Sequence, residues 1–159
     1  DSSWVDMTTG ADSAVCSTSN GYTEYLDLEI VGDHMFLAFV DGGSSYKPNV
    51  MQYTSLNGWT RVGGTDAYNQ ELAGLSLAVS ADGRPYLVFR DPAASNYATV
   101  RYFNGSSWGT LGSAGFAQIT SQSLYQEDRP LISISTLGIP YVAYSNESSL
   151  AAVKKYVEE

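Results

Sequence analysis

The stretch from Leu75 to Gly112, LSLAVSADGRPYLVFRDPAASNYATVRYFNGSSWGTLG, decides the architecture of this chain because it is written three times. An earlier copy, LDLEIVGDHMFLAFVDGGSSYKPNVMQYTSLNGWTRVGG, runs from Leu26 to Gly64. A later copy, PLISISTLGIPYVAYSNESSLAAVKKYVEE, runs from Pro130 to Glu159 and stops before its tryptophan segment. That segment stands at the opposite end as SSWVDMTTG, Ser2 to Gly10. Anchor residues set the period: Phe36, Tyr86 and Tyr141 correspond, as do Asp41, Asp91 and Asn146, and as do Trp4, Trp59 and Trp108. Self-similarity at about 50 residues is the mark of a repeat architecture.

Each copy reads as four strands. The first alternates, with Leu26, Leu28 and Ile30 answered by Leu75, Leu77 and Val79 and then by Ile132 and Ile134. Tight turns follow at Gly32-Asp33, Asp82-Gly83 and Leu137-Gly138, where glycine accepts the positive φ that short hairpins need. The second strand is continuously apolar (FLAFV, YLVF, YVAY), as expected when both faces of a sheet are covered. The third centres on Val50–Tyr53, Val100–Phe103 and Val153–Tyr156, and the fourth begins at Trp59, Trp108 or Trp4. No segment carries a sustained helical period.

A four-stranded antiparallel meander of about 50 residues, packed on both faces, describes a propeller blade. The expected division is one repeat domain over residues 1–159, with blades at about 22–64, 71–112 and 128–159, the last completed by a strand at 2–10. Propellers close with roughly 4–8 blades, so three blades call for a second chain. The expectation is an all-β, six-bladed β-propeller formed by a C2 homodimer, each N-terminal strand completing the last blade of its partner and covering an edge that would otherwise invite aggregation. A β-trefoil monomer, also built from three repeats of about 50 residues, is the alternative fold.

Composition narrows the function classes. The chain has 159 residues, 43% of them apolar and only 16% charged, with eight basic against seventeen acidic residues and a net charge of −9. Such a field repels phosphate backbones, so nucleic acid is excluded as a partner. No apolar run approaches the ~20 residues of a membrane span, so membrane insertion is not expected. Cys16 is the only cysteine and His34 the only histidine, so an internal disulfide and any metal site built on several of these residues are ruled out. Asp1 in place of Met points to a processed or excised chain.

The run Gly83-x-Pro85-Tyr86-Leu87-Val88-Phe89-Arg90-Asp91, then Val100-x-Tyr102, Asn104-Gly105-x-x-Trp108-x-x-Leu111-Gly112 and Gly115-Phe116, resembles tandem β-propeller repeats of bacterial secreted or surface proteins. That family is largely without assigned activity, so the resemblance implies a fold and a secreted or cell-surface location more than a reaction. The first copy departs from it at Asp33-His34-Met35 and the third at Ser145-Asn146. Fucose-binding propeller lectins are also assembled from short repeated chains, but their Arg/Glu/Trp sugar site is not recognisable here.

In such a fold, loops after the second strands gather on one rim with the blade-joining segments. That rim is expected to carry Asp41, Arg90, Asp91 and Asn146, the aromatic rings of Tyr46 and Tyr97, and Glu127 from a joining segment. Acidic oxygens there suit sugar hydroxyls, a cationic group or Ca²⁺, and tyrosines suit the apolar face of a sugar. The competing reading of Asp41, Asp91 and Asn146 is structural, since Asx side chains bond the backbone of the following turn. The repeated tryptophans read as wedges between blades. His34 falls at a hairpin on the opposite side from the rim, so a Ser–His–Asp arrangement is not expected. The leading expectation is therefore a non-catalytic module that recognises a glycan or an extracellular protein. A polysaccharide hydrolase or lyase using rim carboxylates and a structural fragment of a larger propeller are the alternatives.

Overall fold

The computed structural model describes residues 2–7, 23–64, 66–120 and 129–158, and the structural statements below concern those residues. They form three antiparallel sheets and no helix longer than a single 3-10 turn. The first sheet holds β1 (Thr23–Val31), β2 (His34–Asp41), β3 (Lys47–Thr54) and β4 (Gly58–Arg61). The second holds β5 (Ala73–Val79), β6 (Pro85–Asp91), β7 (Tyr97–Phe103) and β8 (Trp108–Thr110). The third holds β9 (Leu131–Ile134), β10 (Pro140–Ser145) and β11 (Ala151–Lys155). Within each sheet the strands lie side by side in chain order. No named strand is shared between repeats, as the common barrel of a trefoil would require.

The local causes are those visible in the chain. Gly83 and Gly138, at φ 81° and 77°, turn β5 into β6 and β9 into β10, a backbone region that costs glycine little and other residues more. Phe36, Ala38, Phe39 and Val40 on β2, and Leu87, Val88 and Phe89 on β6, are all buried, so both faces of these strands are covered.

Two cores join the sheets. Phe36, Ala38, Val40 and Val50 of the first sheet pack against Leu75, Leu77, Leu87 and Phe89 of the second. Val88, Ala98 and Val100 on the second sheet's other face pack against Ile132 and Val142 of the third. The first strands also approach one another. Asp27 Oδ2 accepts from Leu77 N at 2.9 Å, and Ser76 Oγ accepts from Ile132 N at 3.5 Å, so a side chain of one first strand bonds the backbone of the next.

This stacking leaves much of the two terminal faces exposed, although Phe39 and Met51 on the outer face of the first sheet are buried in a small cluster with Leu37 and Trp59. Leu28, Leu77 and Ile132 occupy one repeat position, paired with Leu37, Leu87 and Val142 respectively. Leu77 is 1% and Ile132 7% exposed, whereas Leu28 is 54% exposed, because no sheet precedes the first among the described residues. Leu26 and Ile30 share that exposure. The mirror situation holds on the third sheet, where Tyr141 and Val153 are exposed while Phe36, Val50 and Val100 at the same repeat positions are buried and Tyr86 is half-buried.

Residues 2–7 form no strand, and Trp4 is fully exposed. Among the described residues the third sheet accordingly has three strands rather than four. Residues 8–10 of the expected fourth strand lie outside the described residues. Met7 sits beside the first sheet, where its carbonyl accepts from Trp59 Nε1 at 3.0 Å.

Candidate functional site

The second strand ends in an Asx residue in the first two repeats and is followed by one in the third, and its side chain bonds the turn that follows. Asp41 Oδ1 accepts from Gly43 N at 2.9 Å, and Asp91 Oδ1 accepts from Ala93 N at 3.0 Å, each capping a 3-10 turn. Asn146 Oδ1 accepts from Ser148 N at 3.0 Å and from Leu150 N at 3.1 Å. After the first two turns the chain passes through paired left-handed residues, Ser45-Tyr46 and Ser95-Asn96, and returns as Tyr46 N and Asn96 N donate to Asp41 O and Asp91 O. The shared Asx position thus builds the rim loop.

Asp91 has further partners. Its Oδ1 accepts from Tyr68 Oη at 3.0 Å and its Oδ2 from Thr99 Oγ1 at 2.8 Å. Burial, and then the bond to Asp91, raise the Tyr68 phenol above its ordinary value. The Arg101 guanidinium lies 5.5 Å from the centre of the Tyr68 ring, and burial lowers its pKa below the ordinary guanidinium value. Both Asp41 and Asp91 are buried, so neither carboxylate is presented to solvent. Tyr46 is half-buried against the core between the first two sheets.

Arg90 and Tyr97 are placed differently. Together with Asn96, Gln118, Thr120 and Glu147 they line a cleft of about 360 Å³ between the second and third sheets. Residues 117–120 link the two sheets beside it. Ala98 N donates to Ala117 O at 2.8 Å, and Thr120 N donates to Ser145 O at 3.0 Å. Ile119 pairs with Asn146 in an isolated bridge. The Asn146 turn in turn places Glu147 at the cleft edge. The structure therefore gathers Arg90 and Tyr97, sets Asn146 beside them, and separates Asp41, Tyr46 and Asp91 from them; Glu127 and Cys16 lie outside the described residues.

The cleft combines a guanidinium, a carboxylate, two carboxamides, the hydroxyls of Ser95 and Thr120, and a phenol ring. Such a set can both donate to and accept from a ligand carrying several hydroxyls. Sequence reasoning missed Gln118, Thr120 and Glu147, and also Asn96 beside Tyr97. The first two lie between repeats, where no periodicity marks them. Glu147 was open to notice as the neighbour of Asn146 at the repeated rim position.

A second concavity lies where the first strands converge, lined by Asp27, Glu29, Arg129 and Tyr141 among others. Burial, and then the nearby Asp27 carboxylate, raise Glu29 above the usual carboxylate range. His34 lies at the far end of β2 from the rim and pairs through Nδ1 with Gln52 Nε2 at 2.9 Å. Among the described residues no three His, Cys, Asp or Glu side chains gather as a metal site, and no helix is long and apolar enough to cross a membrane.

Among solved structures the chain is similar to a fucose lectin from Kordia zhangzhouensis in complex with methyl-fucoside. The two share 12% identity at a TM-score of 0.51, over 83% of this chain and 92% of that one. At that identity the likeness concerns the fold. No family profile matches the sequence, and no curated protein matches it.

Proposed function

We propose that this chain is a non-catalytic glycan-recognition module whose binding site is the Arg90–Tyr97–Glu147 cleft. The observation that carries the proposal is the lining of that cleft. A sugar hydroxyl both donates and accepts, and the lining includes both the Arg90 donor group and the Glu147 acceptor. The carboxamides of Asn96 and Gln118 serve either role, and the Tyr97 ring suits the apolar face of a pyranose. A net charge of −9 favours a neutral sugar over a sulfated or phosphorylated one. The fold likeness to a lectin in complex with methyl-fucoside supports the ligand class.

The same reading includes a six-bladed ring of two copies, with blades at about 22–64, 71–112 and 128–159. Its support is the pair of partly exposed terminal faces, where Leu28 and Val153 stand exposed at repeat positions that are buried where two sheets meet. Patches of this kind mark interaction surfaces. Two copies would present two equivalent clefts, raising avidity for multivalent glycans at a secreted or cell-surface location.

Titration calorimetry against a panel of neutral monosaccharides tests the site. Arg90→Ala and Glu147→Ala are each expected to weaken binding at least about tenfold, the loss of a charged hydrogen bond. Binding that survives both substitutions would exclude the cleft. Release of labelled product from a polysaccharide would replace the recognition module with the hydrolase reading.

A further inference from the structure

Three tryptophans hold one place in the repeat, and two of them are seated alike. Trp108 Nε1 donates to Val62 O at 3.2 Å, and its ring lies 5.6 Å from Phe103. Trp59 Nε1 donates to Met7 O at 3.0 Å, and its ring lies 5.5 Å from Tyr53. Val62 is three residues beyond Trp59, and Met7 is three residues beyond Trp4. Each seated tryptophan therefore bonds the carbonyl three residues past the previous one. Met7 stands where the outer strand of a preceding sheet would stand, although none of the described sheets occupies that place.

The series breaks at its other end. The next carbonyl belongs to Leu111, and no tryptophan follows Trp108 in the sequence. A socket of about 310 Å³ lies there instead, lined by Leu111, Gly112, Phe116, Val142 and Tyr156 among others. It repeats the seat of Trp108 part by part. Tyr156 is the counterpart of Phe103, and Gly112, at φ 66°, is the counterpart of Gly63, at φ 74°. A Cβ at Gly63 would come within 2.9 Å of Phe103 and 3.2 Å of Trp108 Nε1. A Cβ at Gly112 would come within 3.4 Å of Tyr156. Both glycines keep open the ground beside an aromatic ring, but only at Gly63 does an indole fill it. Trp4, the unseated member of the series, is fully exposed.

We propose that Trp4 of a second copy of this chain seats in the Leu111–Gly112–Tyr156 socket, its indole N–H on the Leu111 carbonyl. The chain's own Trp4 does not reach that seat. Trp4 lies at most about 11 Å from Met7 along the backbone, and Met7 is held beside Trp59 of the first sheet. The socket lies between the second and third sheets, two sheet spacings of about 10 Å each farther on. The exchange is reciprocal, so a two-fold pair makes the contact twice. The proposal deepens the two-copy closure given under the proposed function and is read without any glycan.

The test uses the full chain in a sedimentation-velocity dilution series. Trp4→Ala removes a side chain that touches nothing in the single chain, and it is expected to weaken self-association by at least about a hundredfold. Tyr156→Ala weakens it as well, and the double variant loses less than the two effects combined, because the residues share one contact. In the associated species Trp4 is shielded from acrylamide quenching, with Trp4→Phe identifying its share of the fluorescence. A dimer as tight in Trp4→Ala as in the unaltered chain overturns the seat while leaving two-copy closure standing. A chain that stays monomeric, or a Trp4 as quenchable as a free indole in the dimer, overturns it too. None of these results depends on whether a sugar binds.

Discussion

Replacing Asp91 with alanine separates a scaffold residue from a ligand residue. The side chain is 2% exposed and accepts from three donors: Ala93 N, Tyr68 Oη and Thr99 Oγ1. Alanine leaves all three without their acceptor. Thr99 is as deeply buried as Asp91, so water does not replace that bond readily, whereas Tyr68 is partly exposed and can recruit a water molecule. Hydrogen bonds to a charged group contribute ~1.5–3 kcal/mol, and a stranded buried donor costs ~1–3 kcal/mol. Discounting Tyr68, and allowing Thr99 Oγ1 the bond it already accepts from Gly115 N at 2.9 Å, leaves a loss of roughly 3–4 kcal/mol. For a chain of this length that lowers the melting temperature by roughly 6–15 °C. Asp91→Asn keeps an acceptor for Ala93 and Tyr68 and is expected to cost about 1 kcal/mol. Differential scanning calorimetry measures both variants, with sugar titration alongside. An Asp91→Ala protein that melts with the unaltered chain yet loses sugar binding would refute the assignment of this carboxylate to the rim scaffold.

Three other outcomes follow from the same repeat logic. Asn49 holds the position of Thr99 in the first sheet, fully buried, and its Oδ1 has no hydrogen-bond partner among the described residues. Asn49→Thr, which copies the second repeat, should raise stability by about 1 kcal/mol in urea titration, and a loss of that size would contradict the equivalence. Tyr68 and Tyr86 have phenols raised above their ordinary value, mainly by burial. Their contribution is complete below the unfolded value near pH 10 and is lost as pH climbs through the folded values. Unfolding free energy should therefore fall above about pH 10, and less steeply in Tyr86→Phe; a rise there would reverse the sign. Addition of EDTA should leave the melting temperature unchanged, whereas a drop would reveal a stabilising bound ion such as Ca²⁺.

Strand order was legible because its signals are local. Alternation in Leu75, Leu77 and Val79, an unbroken apolar run in Leu87, Val88 and Phe89, and glycine at positions 83 and 138 each declare one element without reference to the rest of the chain. The site was legible only in part. Asp41, Asp91 and Asn146 stand out by repetition, yet repetition marks what every repeat needs, which here is a capped turn. The cleft instead draws on what repeats do not share. Arg90 stands where the first copy has Val40 and the third has Ser145, and Gln118 and Thr120 come from a joining segment with no period. A binding surface between two sheets depends on which neighbours meet, and a linear pattern does not state that. The bare face of Leu26, Leu28 and Ile30 shows the same limit, since its spacing matches that of the buried second copy and only the missing neighbour distinguishes the two.

Solution mass tests closure by two copies most directly. Sedimentation equilibrium of the full chain, without ligand, is predicted to give about 34 kDa, twice the 17.1 kDa of one chain. A well-ordered species of 17.1 kDa at every concentration would contradict it.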